Sequence, residues 1–159
     1  MAGAHSASLM LSEVNCLRSA RVDGIMGGGR FNQEQSSVGL KVALRIIAGW
    51  QASPTQACRI LRISHSTYRR ASQDCGAGRR LDQDQQQRIG LVLSIHASLR
   101  TTFANQANVK GFPGFINENE FFEGRSPLEI MAQGNMISLY ETYKRIDQLP
   151  RIGVVQGSS

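Results

Sequence analysis

The stretch EGRSPLEIMAQGNMISLYETYKRIDQL, residues 123–149, decides how the chain is read. Ser126 can cap a helix, Pro127 suits its first position, and Glu129 stands where the acid of a capping box belongs. A short helix through Met131 or Ala132 then breaks at Gly134, and Asn135 can cap a second, longer one. In that second helix Met136, Leu139, Tyr140, Tyr143, Ile146 and Leu149 recur at helical spacing as one apolar stripe. Pro150 stops it. A hairpin packed on its own core satisfies the same periodicity.

Moving towards the N-terminus, Asn105–Phe122 contains Gly111, Pro113 and Gly114 and reads as an irregular connection. Before it, Asp82–Thr102 reads as a long helix with a glutamine-rich start and an apolar face of Ile89, Val92, Leu93, His96 and Leu99. On that face His96 reads as a satisfied core histidine rather than a ligand or base. Asp74–Arg80, with Gly76 and Gly78, reads as a polar linker. Leu40, Ala43, Leu44, Ile47 and Trp50 mark a further amphipathic helix, and residues 1–37, rich in Ala, Ser and Gly, read as a disordered segment. No strand pattern occurs, so the expected fold is all-α.

TQACRILRISHSTYRRAS, residues 55–72, has the layout of a helix-turn-helix. Ser53-Pro54 starts its first helix, which runs to Leu61, and Ser64 caps a second helix to about Ala71. Ala57 is small where the helices must approach; Leu61, Ile63, Tyr68 and Ala71 pack inward. That leaves His65, Ser66, Thr67, Arg69 and Arg70 for DNA, with arginine suited to guanine edges and the hydroxyls to phosphates. Arg62 stands where such turns often carry glycine, because the backbone there takes a positive φ. A helical hairpin with a solvated basic face fits the same residues.

Charge divides the chain. Residues 1–100 hold 13 Lys and Arg against 6 Asp and Glu, whereas residues 101–159 hold 5 against 6. Residues 39–80 alone carry eight basic side chains and one acid, Asp74. A polyanion partner suits the front half and a protein partner the near-neutral back half. The odd count of cysteines (Cys16, Cys58, Cys75) excludes a complete disulfide framework and fits a reduced cytoplasm. No apolar run is long enough for a membrane span, and Leu9-Met10-Leu11 is too short for a secretory core. Gly27-Gly28-Gly29 lacks the Lys-Ser/Thr of a phosphate loop, and no nucleophile elbow or metal-spaced cluster occurs. Glu118, Glu120 and Glu123 read as a solvated turn. The expectation is a binding protein, not an enzyme, with no cofactor and no metal.

GRSPLEIMAQG followed by MISLYETYKRID resembles the C-terminal domain of the Xre/MbcA/ParS antitoxins. The resemblance is strongest over residues 121–149 and continues more weakly back to about Gly39. It departs from the family where NVKGFPGFINENEFF replaces a connection that usually holds a tryptophan. It implies an Xre-like helix-turn-helix region over residues 38–80. It also implies a central helix with a C-terminal helical toxin-binding domain over 81–149, and a tail over 150–159. The implied partner is a cognate RES-domain toxin that consumes NAD or transfers parts of it, with the antitoxin tail near its NAD pocket. Operator DNA and a homodimer or toxin–antitoxin hetero-oligomer are the other implied partners, and no membrane. On this reading Met136, Tyr140, Lys144, Arg145, Arg151 and Ile152 meet the toxin. The competing class is a stand-alone helix-turn-helix regulator whose C-terminal hairpin only dimerises.

Overall fold

Helices form where caps and apolar spacing coincide, and they set the architecture. The computed structural model describes residues 32–73 and 80–151; expectations for residues 1–31, 74–79 and 152–159 lie outside it. Among the described residues there are seven α-helices and no strand. They are α1 (Gln33–Gly49), α2 (Pro54–Leu61), α3 (His65–Ser72), α4 (Gln83–Thr102), α5 (Gln106–Gly111), α6 (Pro127–Met131) and α7 (Met136–Asp147), with a 3₁₀ turn at Phe112–Gly114 after α5.

The first helix starts at Gln33, well before Leu40, so residues 33–37 are not disordered. Ser36 and Gly39 carry its inward face through that extra length. Neither registers as apolar, which is why periodicity misses them. A Cβ on Gly39 would lie 3.4 Å from Ile89 Cγ2, so the missing side chain lets α1 lie close on α4.

Capping fixes the next boundaries. Ser53 accepts the Gln56 N–H at 3.2 Å, while Gln56 Oε1 accepts the Ser53 N–H at 2.9 Å. This reciprocal pair satisfies donors that the first turn of α2 would otherwise leave open. Arg62 ends α2 with φ 50° and ψ 47°, the left-handed conformation that glycine usually supplies. Ser64 then caps α3 through the Thr67 N–H. Asp82 and Gln85 form a second capping box at the head of α4.

Helix α4 is the element on which most of the other described helices pack. It packs most extensively on α7 and, on another side, on α1. Two covered sides explain why its apolar pattern is broader than one stripe. Ile95, fully buried, belongs to the core beside Ile89, Val92 and Leu99, whereas Leu93 and His96 are half-buried. One continuous aliphatic core joins Leu40, Ile47 and Trp50 of the first helix and its end to Ile60, Leu61, Met131, Leu139 and Ile146. Burying each Leu or Ile is worth about 1.5–3 kcal/mol.

The connection after α4 is more ordered than its glycines and proline suggest. Asn105 Oδ1 accepts the Ala107 N–H at 2.8 Å and starts α5, whose Val109 is buried. Phe112 packs on Phe103 with ring centroids 5.3 Å apart. Glu118, Glu120 and Glu123 are exposed around a turn braced by Asn117 and Asn119, as a solvated turn requires.

Candidate nucleic-acid and partner interfaces

The helix-turn-helix packs as its spacing implies. Ala57, Leu61 and Ile63 are buried, and Tyr68 and Ala71 lie half-buried against the core. That leaves His65, Ser66, Arg69 and Arg70 exposed on α3. His65 and Arg69 are four residues apart, as are Ser66 and Arg70, so the four make one strip along the helix. No acid among the described residues pairs with Arg69 or Arg70. Thr67 must be removed from this set. Its side chain is buried and its hydroxyl sits 2.8 Å from Ser64 Oγ, inside the cap rather than towards a base.

The C-terminal hairpin forms as the caps dictate. Ser126 Oγ accepts the Glu129 N–H at 3.2 Å, and Glu129 Oε2 accepts the Ser126 N–H at 2.7 Å. The Ser126 N–H and hydroxyl, both donating to Glu129 Oε2, hold the Glu129 carboxyl below its usual pKa, and Arg125 adds to the effect. Gly134, at φ 85°, turns the chain, and Asn135 Oδ1 accepts the Ser138 N–H at 2.6 Å. On α7, Leu139 and Ile146 are fully buried, with Thr142 between them, its hydroxyl donating to the Ser138 carbonyl. Thr142 is polar, so an apolar-stripe reading passes over it.

The expected partner residues of α7 divide. Tyr140 is 47% exposed, with the Lys144 ammonium 5.9 Å from its ring centroid. Met136 is half-buried. Arg145 is not a free cation: it pairs with Glu141 at 2.6 Å and lies 4.1 Å over the Phe121 ring. Arg151 is exposed, 3.8 Å from Asp147, and Ile152 lies outside the described residues. Missing from the expected set is Ile137, the most exposed large apolar side chain among the described residues at 76%. It lies three residues before Tyr140, so the two adjoin on one face. Its position off the inward stripe was the available signal.

A buried cation joins the two regions. Arg88 is 2% exposed. Its Nε donates to Asp84 Oδ2 at 2.8 Å, and one Nη donates to the Ile60 carbonyl at 3.1 Å and the Gly134 carbonyl at 3.0 Å. One guanidinium thus ties α4 to the end of α2 and to the turn before α7. Gln85 Nε2 also donates to the Arg62 carbonyl at 2.8 Å, clamping the helix-turn-helix turn onto α4.

Other candidate chemical groups are held structurally. Cys58 is buried, which raises its thiol pKa and keeps it protonated. His96 is on the core side but is not satisfied: its Nδ1 has no hydrogen-bond partner among the described residues. Burial, with Arg100 and Lys110 nearby, lowers its pKa to about 4. Among the described residues no group of three or more His, Cys, Asp or Glu could hold a metal ion. No helix there is long and apolar enough to cross a membrane.

Comparison with known proteins agrees with this geometry. Residues 30–94 match the antitoxin Xre-like helix-turn-helix domain, which supports an Xre-type antitoxin family. The chain is also similar to the uncharacterized protein y4oB of Sinorhizobium fredii (strain NBRC 101917 / NGR234). The two are 28% identical over 109 residues, covering 68% of this chain and 81% of that protein. No solved structure matches. The fold is therefore all-helical among the described residues, with an Xre-like helix-turn-helix domain at residues 30–94. That supports an antitoxin or a helix-turn-helix DNA-binding regulator.

Proposed function

We propose that this chain is the antitoxin of a type II toxin–antitoxin pair, that it neutralises a RES-domain toxin by covering its active site, and that it represses its own operon. The observation that carries this reading is the joining of two unlike surfaces in one fold. The domain matched by the Xre-like model bears the basic strip of α3. The GRSPLEIMAQG…MISLYETYKRID hairpin, with the resemblance it carries, presents Ile137 and Tyr140 outward. Exposed large apolar groups beside a Lys144 cation are what a protein-binding face needs. Inhibition is stoichiometric occlusion, and no residue of this chain performs chemistry on NAD.

Co-expression with the product of the neighbouring reading frame tests it, read as cellular NAD. Full-length protein is expected to prevent NAD loss. A chain ending at Leu149 should keep its fold and DNA binding but protect less, because it lacks Arg151 and everything after it. Equal protection by both would move the inhibitory contact from the tail to the α7 face. If the neighbouring product neither binds this chain nor depletes NAD, the regulator reading takes its place.

A further inference from the structure

An open groove lies where the helix-turn-helix meets the turn before α7. Thr55, Arg59, Arg62 and His65 line it, with buried Cys58 and Ile63 and the Gly134 turn completing its wall. No carboxylate belongs to that lining. Arg59 has no ion-pair partner among the described residues. Arg62 reaches only Asp84, at 3.8 Å, and the same Asp84 oxygen is already held at 2.8 Å by the buried Arg88. The groove therefore carries two fixed positive charges that its own protein neutralises poorly.

Its geometry is set in advance. The Arg62 backbone is locked in the left-handed region and its carbonyl is held by Gln85. Gly134 packs on Arg59: a Cβ there would lie 3.4 Å from the Arg59 carbonyl oxygen. His65 belongs both to this lining and to the exposed strip of α3 with Ser66, Arg69 and Arg70. A helix set in the major groove has the sugar–phosphate backbone on either side, so cations beside it meet phosphates rather than base edges.

We propose that this groove is a phosphate-binding site for duplex DNA, in which Arg59 and Arg62 hold a backbone phosphate next to α3. It rests on the reading of α3 as a DNA-contacting helix. It extends that contact to the α2–α3 turn, with the Gly134 turn forming the far wall of the groove. A phosphodiester oxygen accepts from both guanidinium groups, with the Thr55 hydroxyl as a further donor.

The test is binding of the full chain to a mixed-sequence DNA duplex, followed by fluorescence anisotropy across a sodium chloride titration. Arg62→Gly removes the charge and gives the left-handed position the residue that fits it, so the melting temperature should hold or rise. Arg59→Gln is the second variant. Because both side chains hold one phosphate, the double variant Arg59→Gln/Arg62→Gly is expected to lower the magnitude of the slope of log affinity against log salt by about one, as loss of one phosphate contact does, and each single variant by less. Arg69→Ala/Arg70→Ala serves as the internal reference. A parent-like slope in the double variant Arg59→Gln/Arg62→Gly, with a reduced slope in the reference, overturns the two-arginine site and leaves α3 as the DNA helix. A parent that fails to bind duplex at low salt removes both readings. Loss of toxin protection with unchanged DNA binding would overturn the proposal in favour of an acidic protein segment as occupant.

Discussion

A single imidazole illustrates how burial becomes a dependence on pH. The unfolded chain binds a proton on His96 near the ordinary 6.5, whereas the folded ring stays neutral down to about 4. Between those values the unfolded state holds more protons. Stability from this group is therefore complete above pH 6.5 and is lost as the pH falls towards 4. The window corresponds to roughly 3 kcal/mol. Urea titrations from pH 7 to pH 4 should show this loss in the parent, and His96→Leu should flatten the part above the carboxylate range. A parent-like slope in that variant would assign the dependence to other groups. Gly134 is the other residue whose identity is dictated locally. At φ 85°, with Arg59 backbone 3.4 Å from a would-be Cβ, it has both a conformational and a steric reason to lack a side chain.

At the scale of elements, caps were the most legible feature and polar burial the least. Ser53, Ser64, Ser126 and Asn135, legible as caps, each start the helix that follows, and Asp82, legible only as the start of α4, caps that helix as well. Such signals are local, so sequence suffices. Helix α5 escaped because it is short and buries Val109 alone, which leaves no period to detect. The Thr67 hydroxyl suits a phosphate by type, but the cap of its own helix claims it first. Ile137 lies off the apolar stripe, and a large apolar residue off the stripe is the one left for a partner. Ile137→Asp should change folding stability by no more than about 0.5 kcal/mol, since the side chain touches little. If the α7 face binds the toxin, the same change should weaken the complex about 30-fold, the effect of losing about 2 kcal/mol at an interface anchor. Calorimetric titration of purified partners decides it, and parent-like affinity would clear this face of the role.

At the scale of the whole described fold, the helix-turn-helix and the C-terminal hairpin share one apolar core, and a buried cation ties them together as well. A charged residue in the glutamine-rich first half of a helix normally faces water. What reverses this is three acceptors that come together only after folding: Asp84 one turn away, and the carbonyls of Ile60 and Gly134 from distant parts of the chain. Charge-assisted bonds to all three offset the cost of removing the guanidinium from water. Arg88→Leu would leave the two carbonyls unpaired, while Asp84, 37% exposed, could rehydrate. The expected loss is about 1–3 kcal/mol, from the buried Ile60 carbonyl left unsatisfied, since the half-buried Gly134 carbonyl can rehydrate. Arg88→Lys keeps the charge but not the planar fork, so it should recover only part of that stability. Chemical denaturation measures both. Monitoring Trp50, which is buried in the same core as Ile60 and Met131, should give one transition coincident with loss of helical signal in the parent. In Arg88→Leu the two probes should separate, with the C-terminal hairpin loosening before the core around Trp50. Coincident transitions in the variant would mean that apolar packing of α4 on α7 alone makes the fold cooperative, and that Arg88 sets only the register of the helix-turn-helix against the Gly134 turn.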